Sequence, residues 1–474
     1  MECTTKSSAA GTCDVTRVVL QRHLATFLER AEAAGGLPGF VIDELRDYVG
    51  CGSVANGFAR VRCDDCGRDH LVGFSCGGRG FCPRCNGRRM NDTAAYLADQ
   101  VLVDVPVRQW VLTVPWWLRA RLLHDNKLTS EVLRIFLRTV HAWLRERCNG
   151  RGQPGAVTVI QRFGSALRAH LHFHSLVPHG TYIERPDGST AFLAAPVPTH
   201  AEVVALTTRV AERVATMLER RGLLEYADVG PLEDEVALRA CAAASANQVQ
   251  LLGPNPGQPT ERQRNPFHTP GDACHRPLVA QAAGFTLHAD VAIRPTDPGG
   301  LERLCRYVAR PAIASKRLRL LAGDRVAIDL RHEWRDGTTT VVLEPLDFIA
   351  RLAALIPPPR CNLVRHHGVF APAARLHRKL VRPAPPLIAS ARGHTRPDPR
   401  APLRRRLLWA ELMQRTYGTD VLECPACGGR RRLIALIDDP LVIRAILTHL
   451  RLPTSPPQLE PARGPPEPEL DFAA

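Results

Sequence analysis

The chain has 474 residues, 45% of them hydrophobic, which excludes wholesale disorder and predicts two to four domains. Its formal net charge of +15 indicates a polyanionic partner, most simply a nucleic acid. The sequence contains no apolar run of roughly eighteen residues, and residues 1–15 lack an apolar signal core. We therefore expect no membrane span and a cytoplasmic location.

The first predicted elements are amphipathic helices in residues 15–49, which we assign to an N-terminal helical segment (residues 1–50). A cysteine-rich stretch follows, and we predict a DNA-binding domain resembling a zinc ribbon at residues 51–100. Six of the fifteen cysteines fall between Cys51 and Cys85. Such clustering favours metal binding over disulfides.

Two Cys-x-x-Cys pairs stand out in this domain. Four thiolates at this spacing suit the closed, tetrahedral coordination of a structural Zn²⁺ ion. The predicted zinc ligands are Cys63, Cys66, Cys82 and Cys85. Nearby residues leave an exchange of ligands open, and these are Cys51, Cys76 and His70.

Arginines surround the cysteine pairs. Arg84 lies inside the second pair, and Arg88 and Arg89 follow it. Basic side chains around a zinc site are typical of DNA-binding modules, so we predict that these three arginines contact DNA. Zinc ribbons also bind proteins, and that alternative stays open.

The middle of the chain mixes strands and helices. Helices are predicted at 91–103, 128–147, 200–224, 300–310 and 345–355. Strands are predicted at 107–114, 156–163, 170–183 and 282–293, with a hairpin at 325–343 that turns at Arg335-Asp336-Gly337. Antiparallel strands with flanking helices indicate an α+β catalytic domain, placed at residues 101–350 with a loop insertion at 253–280.

The C-terminal part, residues 351–452, is predicted to hold a proline- and arginine-rich linker (382–403) and a small helical unit (404–452). A further Cys-x-x-Cys pair lies at Cys424 and Cys427. This pair could be completed across a dimer, which leaves a homo-oligomer open, could use a distant histidine, or could bind nothing. Residues 453–474 are predicted to form a disordered tail.

Three histidines alternate with apolar residues at His170, His172 and His174. Side chains two residues apart on a β-strand share one face, so a strand would present the three imidazoles together. Such a group suits a divalent ion such as Mn²⁺, Zn²⁺ or Mg²⁺. The alternative is an exposed strand with incidental histidines.

A metal-binding strand beside a DNA-binding module suggests phosphodiester chemistry, with water or a side chain as the nucleophile. Of the six tyrosines, Tyr307 stands out because Arg303, Arg306 and Arg310 surround it and could hold a phosphate. By composition alone, a tyrosine in such an apolar setting is more often part of a core.

Several segments, taken in order, resemble the rolling-circle transposases of the insertion-sequence ninety-one family. The similar segments are Val159–Leu167 with His172-Phe173-His174, Leu301–Tyr307 with Arg310-Pro311, Trp334–Thr339 and Leu363–Val369. The resemblance extends from the first cysteine pairs to Cys424–Gly429. These enzymes belong to the HUH endonuclease superfamily, which is named for a His-hydrophobic-His metal-binding pair and is built on an antiparallel sheet with helices.

The resemblance implies that His172 and His174 hold a catalytic Mg²⁺ or Mn²⁺ ion and places His170 outside the pair. HUH sites have a third ligand. Our candidate is His288, in competition with Gln161 and Asp290.

The resemblance also implies that Tyr307 attacks single-stranded DNA, leaving a 5′-phosphotyrosine and a free 3′-OH. Arg306 and Arg310, beside Tyr307, are then predicted to contact the DNA. Members with two tyrosines carry the second one four residues earlier, where this chain has Arg303. The chain therefore resembles the single-tyrosine variants.

The predicted function is that of a transposase, which nicks and transfers the single-stranded ends of a mobile element into target DNA. One rival is a non-catalytic zinc-ribbon DNA-binding protein derived from a transposase. Another is a nuclease, relaxase or replication initiator with the same site. No Gly-x-x-x-x-Gly-Lys motif occurs, which argues against a fused helicase.

Overall fold

The structure, a computed structural model, describes residues 14–223, 236–268, 277–382 and 409–464. It has an α+β fold, as predicted. The α-helices in these ranges are α1 Val15–Ala33, α2 Gly39–Val49, α3 Pro83–Tyr96, α4 Trp116–His124, α5 Asn126–Arg147, α6 His200–Arg220, α7 Val236–Asn247, α8 Pro298–Val308, α9 Pro345–Leu355, α10 His377–Leu380, α11 Trp409–Tyr417 and α12 Pro440–His449. None of them is both long and apolar enough to cross a membrane.

The same ranges contain the β-strands. They are β1 Phe58–Cys63, β2 Asp69–Gly73, β3 Val107–Thr113, β4 Gly155–Phe163, β5 Ala169–Pro178, β6 Gly180–Glu184, β7 Thr190–Ala194, β8 Glu261–Arg264, β9 Val279–Ala282, β10 Phe285–His288, β11 Ala292–Ile293, β12 Leu318–Leu320, β13 Val326–Asp329, β14 Thr338–Leu343, β15 Val364–Gly368 and β16 Arg431–Ile437.

The largest sheet carries the histidine strand. Its order is β15-β4-β5-β3-β10-β9, with the short β11 also paired to β3, and every pair is antiparallel. Strand β5 lies inside the sheet because its apolar residues alternate between two packed faces. In the register, His172 is opposite Gln161 on β4, and His174 is opposite Val111 on β3.

The two faces of this sheet pack against different layers. On one face, Phe173 and Leu171 of β5 lie in the main core together with Trp110 and residues of the helices α4 to α7 and α9. On the other face, Leu176 and Val159 pack in a second core against helix α8. The histidines of β5 lie an even number of residues from Leu176 and therefore share its face of the strand. This is the face that α8 covers.

Helix α8 begins where the sequence supplies a cap. Asp297 accepts a hydrogen bond from the backbone N–H of Gly300 at 2.7 Å, and Pro298 occupies the first turn. The helix buries Leu301, Leu304, Cys305 and Val308, which are spaced three and four residues apart. Tyr307 lies at the border of this buried stripe, with 41% of its surface exposed.

Several predicted elements differ from the observed ones. The strand predicted at 282–293 is divided into β10 and β11, and β9 ends at Ala282. The predicted strand 170–183 is broken at His179, whose imidazole contacts the carbonyl oxygen of Pro196 at 2.9 Å, so that β6 leaves the large sheet and pairs with β7. The predicted insertion 253–280 is not a loop throughout, because it contains β8 and β9. Strand β8 pairs with β14 in a sheet of order β12-β13-β14-β8. The hairpin β13–β14 is confirmed, and its turn uses Gly337 at φ 81°.

The C-terminal part contains the predicted helices, but its strand β16 joins the N-terminal region. Strand β16 pairs antiparallel with β1 in a sheet of order β16-β1-β2. The predicted disorder is wrong for residues 453–464, because the N–H of Glu460 donates to Gln21 and that of Arg463 donates to Thr26, both on α1. The rest of that tail and residues 383–403 of the predicted linker lie outside the described residues. The domain boundaries that we assigned stay predictions.

Candidate active site and cysteine clusters

The structure separates the cysteines into two groups of four, rather than the single group expected from the sequence. In each group the four sulfur atoms all lie within 4.8 Å of one another. The first cluster consists of Cys51, Cys76, Cys82 and Cys85, and the second of Cys63, Cys66, Cys424 and Cys427. The prediction that Cys63 and Cys66 share one zinc site with Cys82 and Cys85 is therefore wrong in its grouping.

Both clusters have the dimensions that zinc requires. The Sγ atoms are separated by 3.7 Å between Cys51 and Cys82, and by 3.5 Å between Cys63 and Cys427. A tetrahedron with Zn–S bonds of about 2.3 Å has edges of about 3.8 Å. All of these cysteines are free thiols rather than disulfides. The donor sets therefore fit two closed, four-thiolate sites.

Local turns build the first cluster. Cys82 caps helix α3 and its Sγ accepts from the backbone N–H of Cys85 at 3.5 Å. The Sγ of Cys51, which follows α2, accepts from the N–H of Cys76 at 3.4 Å. The cluster therefore ties α2 to the start of α3, and it is mostly buried.

Strand pairing builds the second cluster. Strand β1 ends at Cys63, which is opposite Arg431 of β16. Each of the two turns closes with a glycine in the left-handed region, Gly67 at φ 67° and Gly428 at φ 73°. The ladder between β1 and β16 brings together cysteine pairs that lie 364 residues apart in the chain. Cys424 and Cys427 are thus completed within one chain.

The histidines of β5 lie beside Tyr307. The ring centroids of His172 and His174 are 4.7 Å apart, and the ring of Tyr307 meets that of His174 edge to face at 6.0 Å and 87°. The HUH pair and the tyrosine predicted from the sequence are thus neighbours, although 133 residues of chain separate His174 from Tyr307.

Burial keeps the two histidines neutral. It lowers the pKa of His172 to about 4, with Arg310 and Arg119 opposing a further positive charge. Burial also lowers the pKa of His174 well below its usual range, and the neighbouring His172 adds to this effect. Neutral imidazoles are the form that binds metal ions.

Hydrogen bonds decide which ring nitrogens remain available. The Nδ1 atom of His172 donates to the carbonyl oxygen of His170 at 3.0 Å, which leaves the lone pair of Nε2 free. The Nδ1 atom of His174 lies 2.8 Å from the amide of Gln109. Within the described ranges, the buried Nε2 atom of His174 has no hydrogen-bond partner. These Nε2 atoms provide nitrogen donors that suit a divalent ion.

The three candidates for a third ligand lie at different places. His288 is opposite Val111, so it lies on the face of His174 but two strands away, about 10 Å between backbones. Gln161 is one strand from His172 and buried, and in the described structure its Oε1 atom has no hydrogen-bond partner. Asp290 lies after β10 and is exposed.

The models of two protein families match this chain. A family described as "Putative transposase" matches residues 155–378, and a "Transposase zinc-binding domain" matches residues 19–114. The first range contains both histidines and Tyr307, and the second contains the whole first cysteine cluster. The chain is a transposase of the insertion-sequence ninety-one family. No curated protein and no solved structure matches it.

The arginines of the transposase that were predicted to bind DNA have different surroundings. The guanidinium of Arg84 lies against Gly52, and Arg88 is exposed on α3. Arg89 donates to the carbonyl oxygens of Gly77 and Gly78 and thereby braces the loop of the first cluster. Arg89 thus has a structural role that the sequence did not suggest.

The two arginines near Tyr307 that were predicted to contact DNA, Arg306 and Arg310, also differ in their contacts. The guanidinium of Arg310 lies 4.6 Å from the centre of the Tyr307 ring, and it has no acidic partner among the described residues. Arg306 instead lies 3.8 Å from Glu302, which in turn binds Arg415 of α11 at 2.7 Å. Of these two, Arg310 is the cation available to a phosphate at Tyr307.

Sequence reasoning missed Gln109 in the transposase. It lies on β3, two residues from Val111, and its side chain is buried against His174. Polar residues inside a largely apolar strand, Arg108 and Gln109, were visible in the sequence. Only the strand pairing shows which histidine Gln109 contacts.

Proposed function

We propose that this transposase cleaves single-stranded DNA by attack of the Tyr307 hydroxyl on a phosphodiester. The Oη atom forms a bond to phosphorus, the bond from phosphorus to the 3′ oxygen breaks, and that oxygen leaves as a free 3′-OH after taking up a proton. Attack of another 3′-OH on the phosphotyrosine reverses these steps and transfers the strand without an external energy source. The arrangement of Tyr307 against His174 carries this proposal.

The chain's own residues prepare the phosphate. Arg310 lies over the Tyr307 ring and can neutralise a phosphate oxygen there. His172 and His174 would hold Mg²⁺ or Mn²⁺, which when bound polarises the scissile phosphate. The Nε2 atom of His174 can donate its lone pair only when the proton of the neutral imidazole is on Nδ1. The Gln109 side chain must then present its amide oxygen to Nδ1, and the two amide orientations have the same shape.

Of the candidates for the third ligand, Gln161 has the strongest support. Its Nε2 atom donates to the carbonyl oxygen of Val308 at 2.6 Å, which fixes the amide beside helix α8. This bond leaves Oε1 buried, without a donor among the residues that the structure describes, on the same face as His172. A buried acceptor without a partner is costly, and a cation would satisfy it. His288 remains the alternative ligand, and Asp290 is the weakest of the three.

The cysteine clusters are proposed to bind two structural zinc ions, one in each cluster. Four thiolates leave no open position for substrate, so neither zinc takes part in the chemistry. Arg84 and Arg88 next to the first cluster, and Arg306 on α8, remain proposed DNA contacts. The cytoplasmic location is likewise carried forward as a proposal.

The decisive experiment is incubation of the protein with single-stranded DNA from the element's ends and Mg²⁺ or Mn²⁺, followed by denaturing electrophoresis. A covalent protein–DNA adduct is expected for the unaltered protein. Tyr307→Phe should abolish the adduct and leave DNA binding intact. Tyr417→Phe is the matched control, because Tyr417 is also exposed and lies outside the proposed site. An undiminished adduct in Tyr307→Phe would remove Tyr307 from its role.

A further inference from the structure

Two neighbouring cavities lie near the proposed site, and Arg310, whose guanidinium lies over the Tyr307 ring, lines one of them. The smaller, of about 260 Å³, is lined by Gln161, Phe163 and Arg310, and we refer to it as the catalytic cavity. The larger, of about 1330 Å³, runs along the edge strand β15 and the adjoining parts of α3 and α5, and we refer to it as the basic cleft. Asp92 and Thr93 of α3 line both. The two cavities therefore adjoin at α3.

The wall of the basic cleft is rich in cations. Six cationic side chains line it, namely Lys127, Arg134, Arg221, Arg360, Arg365 and Arg382, against three carboxylates. One of those carboxylates, Asp99, is already paired with Arg415 at 2.6 Å. Lys127 and Arg360 are exposed, and neither forms an ion pair with any residue in the described ranges. The cleft therefore presents uncompensated positive charge, which suits a phosphate backbone.

The cleft also offers an aromatic surface. Tyr96 of α3 and His366 of β15 both line it, and their rings meet edge to face at 6.1 Å. Grooves that bind single-stranded nucleic acid combine basic side chains for the phosphates with rings on which the bases stack. The basic cleft holds both kinds of group within one concave surface.

The sizes of the cavities favour a single strand over a duplex. Pockets of roughly 300–1,000 Å³ hold one drug-sized ligand, so the 260 Å³ catalytic cavity accommodates a group no larger than about one nucleotide. The basic cleft is about five times larger, as several linked nucleotides require. Helix α3, which borders both cavities, is fixed by the first cysteine cluster at its start.

We propose that single-stranded DNA runs from Tyr307 through the catalytic cavity, past Thr93, and along the basic cleft. Its phosphates lie near Lys127 and Arg360, and a base stacks on Tyr96. This path rests on the proposed function, since it begins at the phosphate that Tyr307 attacks. It gives the zinc-binding module a second role, because helix α3 of that module forms one wall of the DNA path.

The test compares two double variants that remove the same number of charges. Lys127→Gln/Arg360→Gln changes the basic cleft. Arg185→Gln/Arg209→Gln changes two exposed arginines, one between β6 and β7 and one on α6, that line neither cavity. Binding of a fluorescent oligothymidine of about 16 nucleotides, within the range of single-strand site sizes, is measured by anisotropy without added Mg²⁺ or Mn²⁺ at several salt concentrations. Loss of two phosphate contacts should weaken binding roughly tenfold at low salt and reduce the salt slope by about 1.4.

Each outcome either supports or overturns the proposed DNA path. A loss confined to the cleft variant supports the path. Equal binding by both variants, or an equal loss in both, overturns it, and so does a cleft variant that loses duplex binding as strongly as single-strand binding. Adduct formation by the unaltered protein, assayed in parallel, tests the proposed function separately. A Tyr307-dependent adduct with unchanged binding in the cleft variant would refute the path alone, whereas a binding defect without any adduct would refute the chemistry alone.

Discussion

The two proposed metal-binding regions of this transposase, the cysteine clusters and the histidine face formed by His172 and His174, differ in their donor atoms. Each cysteine cluster contributes four thiolates, whereas the histidine face contributes two imidazoles and the buried oxygen of Gln161. Four sulfur ligands close a coordination shell, and two or three nitrogen and oxygen ligands leave positions for substrate. If the histidine face binds its proposed ion, the number and softness of the donors would separate structural metal binding from catalytic metal binding in this chain.

The largest effect should come from breaking both cysteine clusters together. The unaltered protein should contain two zinc ions per chain, Cys63→Ser and Cys82→Ser one each, and Cys63→Ser/Cys82→Ser none. Structural zinc sites contribute on the order of 10 kcal/mol to folding, so the double variant should also lose its cooperative thermal transition. Metal analysis and calorimetry measure both. One zinc in the unaltered protein, lost in either single variant, would favour the single-site grouping expected from the sequence.

A large but different effect is expected at the histidine face. His174→Ala should reduce adduct formation at least a hundredfold, because it removes a metal ligand, and should leave the zinc content at two. His332→Ala is the control, since His332 is an exposed histidine in the turn region after β13. Adduct yield and zinc content are measured on the same preparations. Loss of zinc in His174→Ala would contradict the separation of the two regions.

A smaller effect distinguishes the candidates for the third ligand. Gln161→Ala should raise the Mn²⁺ concentration that gives half-maximal adduct formation by about 10–100-fold, as for residues that hold or orient a bound metal. His288→Ala should change it less, because His288 lies two strands from His174. Titration of adduct formation with Mn²⁺ gives both values. The reverse order would return His288 to the metal site.

Acid should lower the stability of the folded chain through the buried His172. Because burial lowers the pKa of His172 to about 4, the unfolded chain binds a proton that the folded chain does not, between pH 6.5 and 4. Without added Mg²⁺ or Mn²⁺, the free energy of unfolding should therefore fall as the pH is lowered across that window, by up to roughly 3 kcal/mol for this group. His172→Asn should flatten the slope, which denaturant titrations at several pH values measure. An unchanged slope would show that His172 does not carry this proton linkage.

The smallest effect concerns the junction of the two cavities. Asp92 brings a negative charge to the proposed DNA path, because it lines both cavities. Asp92→Asn should strengthen the binding of single-stranded DNA a few-fold at low salt and less at high salt, since screening weakens charge repulsion. Anisotropy titrations measure this change. Weaker binding in the variant would indicate that the carboxylate supports the path instead of opposing DNA.

The sequence predicts what depends on local spacing. The alternation of His172 and His174 places both on one strand face, and the spacing of Leu301, Leu304 and Val308 makes the helix that presents Tyr307. The resemblance to the transposase family then joined these two motifs. The structure agrees with both elements.

What the sequence could not supply depends on pairing between distant segments. Each of the three Cys-x-x-Cys pairs, and each of the single cysteines Cys51 and Cys76, has several partners at acceptable spacing. Only the register of β1 with β16 assigns Cys427 to Cys63. In the same way, Gln109 and Gln161 are ordinary polar residues until the strand order places them beside His174 and His172. Connectivity of ligands is a property of the sheet, not of the motif.

The long-range closure of the second cluster also sets an order of events during synthesis. Cys63 emerges from the ribosome 364 residues before its partner Cys427. At about 5–20 residues per second, its thiol must wait roughly 20–70 s. The first cluster, whose four cysteines emerge together, can bind zinc at once. A chain released before residue 424 is synthesised therefore contains all four ligands of the first cluster but only Cys63 and Cys66 of the second. Such an incomplete chain would have one zinc site instead of two.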